Sequence, residues 1–182
     1  MSVIIRPFAP RDQLAARRLI LNGLGEHFGW IDETRNPDLD DIDAHYIRRG
    51  NAFVVAESGG EIVGTGGLIA VDARTARIVR MSVSRAQRRN GIGRALVTHL
   101  LGSARQRGCA RVIVFTEHNW DAAINLYSNC GFAEYARDQV DIYFAVALIR
   151  HSERSEESHS LQKHARFFVA KPAPQNDNST LQ

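Results

Sequence analysis

The sequence predicts an α/β (α+β) domain built on a mixed central sheet of about seven strands, with helices on both faces. Short apolar runs alternate with helical patterns across residues 1–150, the arrangement expected when helices cover a sheet. One segment, from Thr75 to Arg107, passes from a strand through a glycine-containing loop into a helix with one apolar face. Val112-Ile113-Val114-Phe115 is a continuous apolar run, as for a strand covered on both sides. A chain of 182 residues that is 44% hydrophobic and 24% charged with 14 glycines excludes collagen-like, wholly disordered and coiled-coil classes.

The elements follow in order. Val3 to Phe8 reads as a strand, and Pro10-Arg11-Asp12 opens a helix through Leu24, because Pro suits a first helical turn and Asp complements the dipole there. Pro37-Asp38 opens a second helix through Arg49. Ala52–Glu57 and Glu61–Val71 are strands joined by Ser58-Gly59-Gly60, a hairpin signal. Thr75–Ser84 alternates and is placed mid-sheet. Gly91–Arg107 is the strongest helix: Ile92, Leu96, Val97, Leu100, Leu101 and Ala104 form one face, and Gly108 ends it. A helix from Trp120 to Asn129 follows Val112–Phe115, and Asp141–Ile149 is a long last strand.

Residues 151–182 carry four acids and four bases, so the formal net charge of +3 lies on residues 1–150. That tail is rich in Ser, His and Gln, with one apolar cluster at Phe167–Ala170, and is expected to be disordered. The domain is therefore assigned to residues 1–150. No apolar run approaches the roughly 20 residues of a membrane span. The first residues lack the pattern of a secretion signal, so a cytoplasmic location is expected. Cys109 and Cys130 have no metal-site spacing, no metal is expected, and both read as reduced core residues.

The most informative segment is Val83-Ser84-Arg85-Ala86-Gln87-Arg88-Arg89-Asn90-Gly91-Ile92-Gly93-Arg94. Four arginines surround two glycines that let a ligand approach the main chain, at a helix start whose unpaired N–H groups and positive dipole end favour an anion. Leu96 stands where a dinucleotide fingerprint needs a small residue, and no Gly-Lys-Ser/Thr occurs, so both of those nucleotide motifs fit poorly.

Arg88-Arg89-Asn90-Gly91-Ile92-Gly93 resembles the pyrophosphate loop of the GNAT superfamily of N-acetyltransferases, Gln/Arg-x-x-Gly-x-Gly/Ala. Arg80-Met81-Ser82-Val83 is similar to that family's fourth strand, and Asn119 through Tyr127 to Gly131-Phe132 to its fourth helix and the Gly-Phe beyond it. The resemblance runs from Ile4 to Leu148. It implies a sheet splayed between strands four and five, with acetyl-CoA as co-substrate in the gap. The pantetheine arm would pair with the main chain of Met81, Ser82 and Val83. The diphosphate would rest on N–H groups of Arg89, Asn90, Gly91, Ile92, Gly93 and Arg94, with the Arg88 and Arg89 side chains near the adenosine phosphates.

The resemblance also implies direct acetyl transfer to a primary amine of a small molecule or protein. Tyr127 is then the candidate general acid for the departing thiolate. Asn119, Ala123 and Tyr127 are spaced four apart along one helix side, and Asn119 has two readings, a helix cap or a cofactor contact. Relatives often place a Glu on the fourth strand as base, and Arg77 stands there in this chain. Glu26, His27, Glu117 and His118 are the candidate bases, Glu26 and His27 being read as loop residues. Asp32, Glu33, Asp38, Asp40, Asp41 and Asp43 are read either as an attraction for a cationic amine or as helix-start and solvated groups. Arg77 and Arg80 suggest instead a substrate carboxylate.

Two alternatives stand beside the enzyme: a catalytically silent acyl-CoA sensor of the same fold, and nucleic-acid binding through the arginines. No aromatic residue for base stacking lies between Arg77 and Arg111, so nucleic acid is not expected as a partner; neither is a membrane, and a homodimer is left open.

Overall fold

The computed structural model describes residues 2–148; the expected tail at 151–182 lies outside the described residues. Seven strands form one sheet: β1 (Val3–Pro7), β2 (Ala52–Ser58), β3 (Glu61–Ala70), β4 (Thr75–Val83), β5 (Arg111–Glu117), β6 (Ala133–Arg137) and β7 (Asp141–Ala147). Their order is β1-β2-β3-β4-β5-β7-β6. Every neighbouring pair is antiparallel except β4 and β5, which are linked by a helix as a parallel connection requires.

Three helices exceed one or two turns: α1 (Gln13–Phe28), α2 (Ile92–Gln106) and α3 (Asp121–Asn129). The predicted face of α2 is the buried one: Ile92, Leu96, Val97, Leu100, Leu101 and Ala104 pack with Val112, Val114, Ile142 and Phe144 from β5 and β7. The opposite face of the sheet is covered only over β2, β3 and β4, where α1 and the following segment supply Ala16, Ile20, Leu21, Leu39, Ile42 and Tyr46 around Phe53 and Val55. β5 is therefore not covered on both sides as its apolar run suggested. Val112 and Val114 are buried, while Phe115 is 41% exposed.

Two helix boundaries also differ from expectation. α1 continues past Leu24 to Phe28, ending at Gly29 in the left-handed region (φ 75°). The second predicted helix is instead a 3-10 turn, Pro37–Leu39, and a π-helical turn, Asp43–Ile47. The Gln13 amide explains the break: its Nε2 donates to the Leu39 carbonyl (2.7 Å), and its Oε1 accepts from Ile42 N–H (3.0 Å). Main-chain groups that a continuous helix would pair internally are thus satisfied by a side chain from α1.

β4 and β5 pair only through Thr75–Arg111, Ala76–Val112 and Arg77–Ile113. Beyond Arg77 the strands part, which is the splay expected of the sheet. On its other side β4 carries an irregularity against β3 between Thr65 and Gly67, where Arg80 takes φ 54° and its carbonyl accepts from Thr65 Oγ1 at 2.9 Å.

Candidate functional site

Between Val83 and α2 the chain makes a 3-10 turn at Arg85–Gln87, then turns through Arg89 (φ 66°) and Gly91 (φ 79°). Gly91 is the N-terminal cap of α2, and its left-handed backbone is one that glycine adopts without steric cost. Among the described residues, the N–H groups of Arg89, Asn90, Gly91, Ile92, Gly93 and Arg94 donate to no other group. Among the described residues, apart from its two chain neighbours, no heavy atom lies within 4 Å of where a Gly91 Cβ would stand. Six unpaired donors thus lie beside open space at the positive end of a fifteen-residue helix, the ingredients of a main-chain anion cradle.

The two glycines have different tasks. A Cβ on Gly93 would meet Leu126 Cδ2 at 3.3 Å, so Gly93 seats α2 against α3, whereas Gly91 opens the cradle. The arginines differ too. Arg88, expected near adenosine phosphates, donates through Nε to the Val83 carbonyl (3.1 Å) and pairs with Glu26 on α1 (2.6 Å). Arg89 has no such internal partner and is exposed. Asn90 Nδ2 donates to Gln87 Oε1 (3.2 Å), closing the turn.

The edge of β4 leads to this cradle. Ser84 N–H donates to the Val63 carbonyl (2.9 Å), so the alternation of an antiparallel ladder turns the main-chain groups of Val83 away from β3, toward the gap. Ser82 Oγ donates to the Leu19 carbonyl of α1 (3.2 Å). A Cβ on Gly23 would lie 2.8 Å from that hydroxyl, so α1 sits close over β4 because Gly23 has no side chain. Met81, which the β3 register skips at the irregularity between Thr65 and Gly67, packs against the α2 side of the core.

Across the gap, the last turn of α1 meets the end of β5. Glu26 and His27 are helical rather than loop residues. His27 Nε2 lies 3.5 Å from Glu117 Oε2, and the imidazole stacks on Trp120 with centroids 3.9 Å apart and planes 8° from parallel. Nε2 is buried and makes no hydrogen bond; its relation to Glu117 is ionic proximity rather than an aligned bond. Two of the four candidate bases are thereby brought together. Glu26 is held by Arg88, and His118 is turned toward β7, with Nε2 3.1 Å from the Asp141 carbonyl. Trp120 carries no motif and was not anticipated; only its place at the start of α3 hinted at a role.

Tyr127 is 5% exposed, packed against Phe132 and Phe144. Its hydroxyl has no hydrogen-bond partner among the described residues, and burial pushes the phenol upward, so it stays protonated. Asn119 lies in the turn before α3 rather than along one helix side with Ala123 and Tyr127. It is exposed, the cap position is Trp120, and no side chain caps the helix. Cys109 and Cys130 are free and pack against the core, with burial raising the Cys130 thiol.

The acidic segment is fully engaged. Asp32 caps Thr34 (3.1 Å), Glu33 and Asp40 both pair with Arg17 (2.6 and 3.4 Å), Asp41 accepts from Ala44 N–H (2.9 Å) and Asp43 pairs with Arg48 (2.7 Å). Asp38 accepts from Tyr46 Oη (2.6 Å) and from two nitrogens of Arg80, whose third nitrogen donates to Asn36 (2.8 Å). Burial opposes ionisation of Asp38, but these donors hold its carboxyl below the usual range. Arg77 is different. Its guanidinium lies over the Phe115 ring (5.1 Å to the centroid), its buried Nε has no hydrogen-bond partner, and burial pulls it downward.

Among the described residues there is no cluster of three or more His, Cys, Asp or Glu arranged to hold a metal, and no helix long and apolar enough to cross a membrane.

The Acetyltransferase (GNAT) family model matches residues 19–132. Curated relatives include N-acetyltransferase 8 of Rattus norvegicus, 35% identical over 119 residues (62% of this chain, 54% of the rat protein), and its Homo sapiens counterpart, 38% identical over 109 residues (57% and 48%). The chain spans about half the length of these relatives. An acetyltransferase of the GNAT family from Staphylococcus aureus has the same fold, with a TM-score of 0.75 at 24% identity over 81% of this chain and 100% of that one. So does an acetyltransferase from Salmonella typhimurium solved with acetyl-CoA, with a TM-score of 0.70 at 22% identity over 83% and 96%. Profile, relatives and fold converge on one conclusion: the chain belongs to the GNAT acetyltransferase family.

Proposed function

We propose that the chain is an acetyl-CoA-dependent N-acetyltransferase that transfers the acetyl group directly to a primary amine. The single observation that carries this reading is the row of unpaired N–H groups from Arg89 to Arg94, beside open space at Gly91. Hydrogen bonds from neutral donors to a charged oxygen contribute about 1.5–3 kcal/mol each, so several of them suffice to hold a diphosphate without help from side-chain charge. In this reading Arg89, exposed beside the cradle, reaches the adenosine phosphates, while Arg88 ties the loop to Glu26 on α1. The outward main chain at Val83, with Met81 and Ser82, receives the pantetheine arm.

Acetyl-CoA supplies a thioester carbonyl at the parted ends of β4 and β5. The amine nitrogen attacks that carbonyl, an N–C bond forms, and the C–S bond breaks. One proton leaves the nitrogen and one reaches the sulfur. His27, buried beside Glu117, accepts the first, directly or through a water molecule. Tyr127 donates the second: burial keeps its phenol protonated, and its hydroxyl has no partner of its own to release. Glu26, salt-bridged to Arg88, orients the loop and takes no proton. Asn119, exposed at the start of α3, contacts the cofactor rather than the helix.

Incubating the protein with acetyl-CoA and a panel of primary amines, with free thiol as the readout, tests this directly. Amine-dependent thiol release is expected. Tight CoA binding with no release from any amine would instead favour an acyl-CoA sensor of the same fold.

A further inference from the structure

The acceptor side of the gap has a definite charge. Every carboxylate of the segment from Asp32 to Asp43 already has a cation or a main-chain N–H as partner within the fold, so none is left as an unpartnered group facing an acceptor. Arg80 is likewise neutralised, by Asp38. Arg77 is left with its charge uncompensated. It belongs to the last residue pair before β4 and β5 part, and none of its N–H groups has a hydrogen-bond partner among the described residues.

The Phe115 ring accounts for one face of the guanidinium. A cation–π contact uses that face, whereas the donors lie in the plane of the group. The contact therefore leaves the fork open, and the fork's geometry matches a carboxylate bidentately. Next to it lies a partly exposed aromatic surface: Phe115, 41% exposed, with Tyr143 5.6 Å from it and Tyr135 6.3 Å beyond Tyr143. A buried arginine without a partner is costly to fold, and a bound anion removes that cost.

We propose that Arg77 holds the carboxylate of the acceptor, which is an α-amino acid whose apolar side chain lies on Phe115 and Tyr143. This rests on the acetyltransferase reading above. It favours acceptors in which an acid group adjoins the amine that is acetylated.

The test compares acids with their decarboxylated amines: phenylalanine with phenethylamine, and leucine with isopentylamine, measured by thiol release from acetyl-CoA. The wild-type protein is expected to prefer each acid by about 10-fold or more in kcat/KM, the discrimination of one charge-assisted pair. Arg77→Gln brings the ratio close to one while the KM for acetyl-CoA stays within about 2-fold; Arg77→Lys, which keeps the charge but loses the fork, retains part of the preference. Melting of both variants is read alongside, and Arg77→Gln is expected to melt at or above the wild-type temperature because it removes an uncompensated charge. Equal use of acid and amine by the wild type, or a preference that survives Arg77→Gln, overturns the proposal and leaves the enzyme reading intact. Absence of thiol release with every compound, despite CoA binding, overturns both.

Discussion

The imidazole of His27 lies flat on Trp120, 3.9 Å between ring centroids, with its Nε2 3.5 Å from the Glu117 carboxylate. This contact joins the end of α1 to the end of β5 and confines the ring to one orientation. For the base assigned to His27, His27→Ala is expected to lower kcat/KM for the amine about 100-fold, within the range of general-base contributions, and to leave CoA affinity within about 2-fold. Added imidazole is expected to restore part of the rate. A variant as fast as wild type would move the base elsewhere.

Tyr127→Phe separates chemistry from packing. Because the hydroxyl makes no hydrogen bond among the described residues, its removal leaves no buried partner there unsatisfied, and the melting temperature is expected to hold or rise. Turnover is expected to fall about 100-fold if the phenol protonates the thiolate, with the KM for acetyl-CoA little changed. Unaltered turnover would reduce Tyr127 to a core residue against Phe132 and Phe144.

Gly91→Asp places a carboxylate into the cradle. No atom of the chain obstructs the new Cβ, and Asp tolerates the left-handed region better than most residues, so the fold is expected to persist with about 1 kcal/mol lost to backbone strain. CoA binding is expected to disappear in a calorimetric titration. Gly91→Ala, which carries the strain and a Cβ without the charge, is the control and is expected to bind more weakly than wild type but more tightly than Gly91→Asp.

Asp12, buried at the start of α1, pairs with Arg6 on β1 at 2.6 Å and accepts Ala9 N–H at 2.8 Å. The Arg6 hydrogen bond, chiefly, lowers its carboxyl below the ordinary value. A carboxylate depressed in the folded state contributes stability above its unfolded pKa of about 4, and that contribution is lost as pH falls through the folded value. Unfolding measured from pH 7 to pH 2 is expected to show this decline. Arg6 keeps its second partner, Glu57 (2.7 Å), so Asp12→Asn is expected to cost about 1–2 kcal/mol at pH 7 and to flatten the acid dependence.

What was legible in the sequence was what is local. The loop from Arg88 to Gly93 is contiguous, so its glycines and its place at the start of α2 could be read from spacing, and the α2 face appeared residue for residue in the core. The expected seven strands and the parting of β4 from β5 are present in the sheet. Properties set by distant partners were not legible. Nothing near Gln13 shows that its amide divides the helix expected from Pro37 to Arg49, and nothing near Arg88 shows that Glu26 claims it. His27 and Glu117 were each marked as candidate bases, but their meeting depends on how far α1 runs, and a helix end set by Gly29 rather than Leu24 moved both Glu26 and His27 onto a helix. Phe115 looked buried because the run around it is apolar; its exposure follows from α1 covering only half of that face.

In the proposed function the N-terminal amides of α2 grip the coenzyme's diphosphate. Backbone amide shifts followed by NMR during titration with CoA measure this residue by residue. Saturable shifts concentrated at Arg89–Arg94 and along Met81–Val83 are expected. Binding that leaves those amides unmoved and shifts others instead would contradict that assignment.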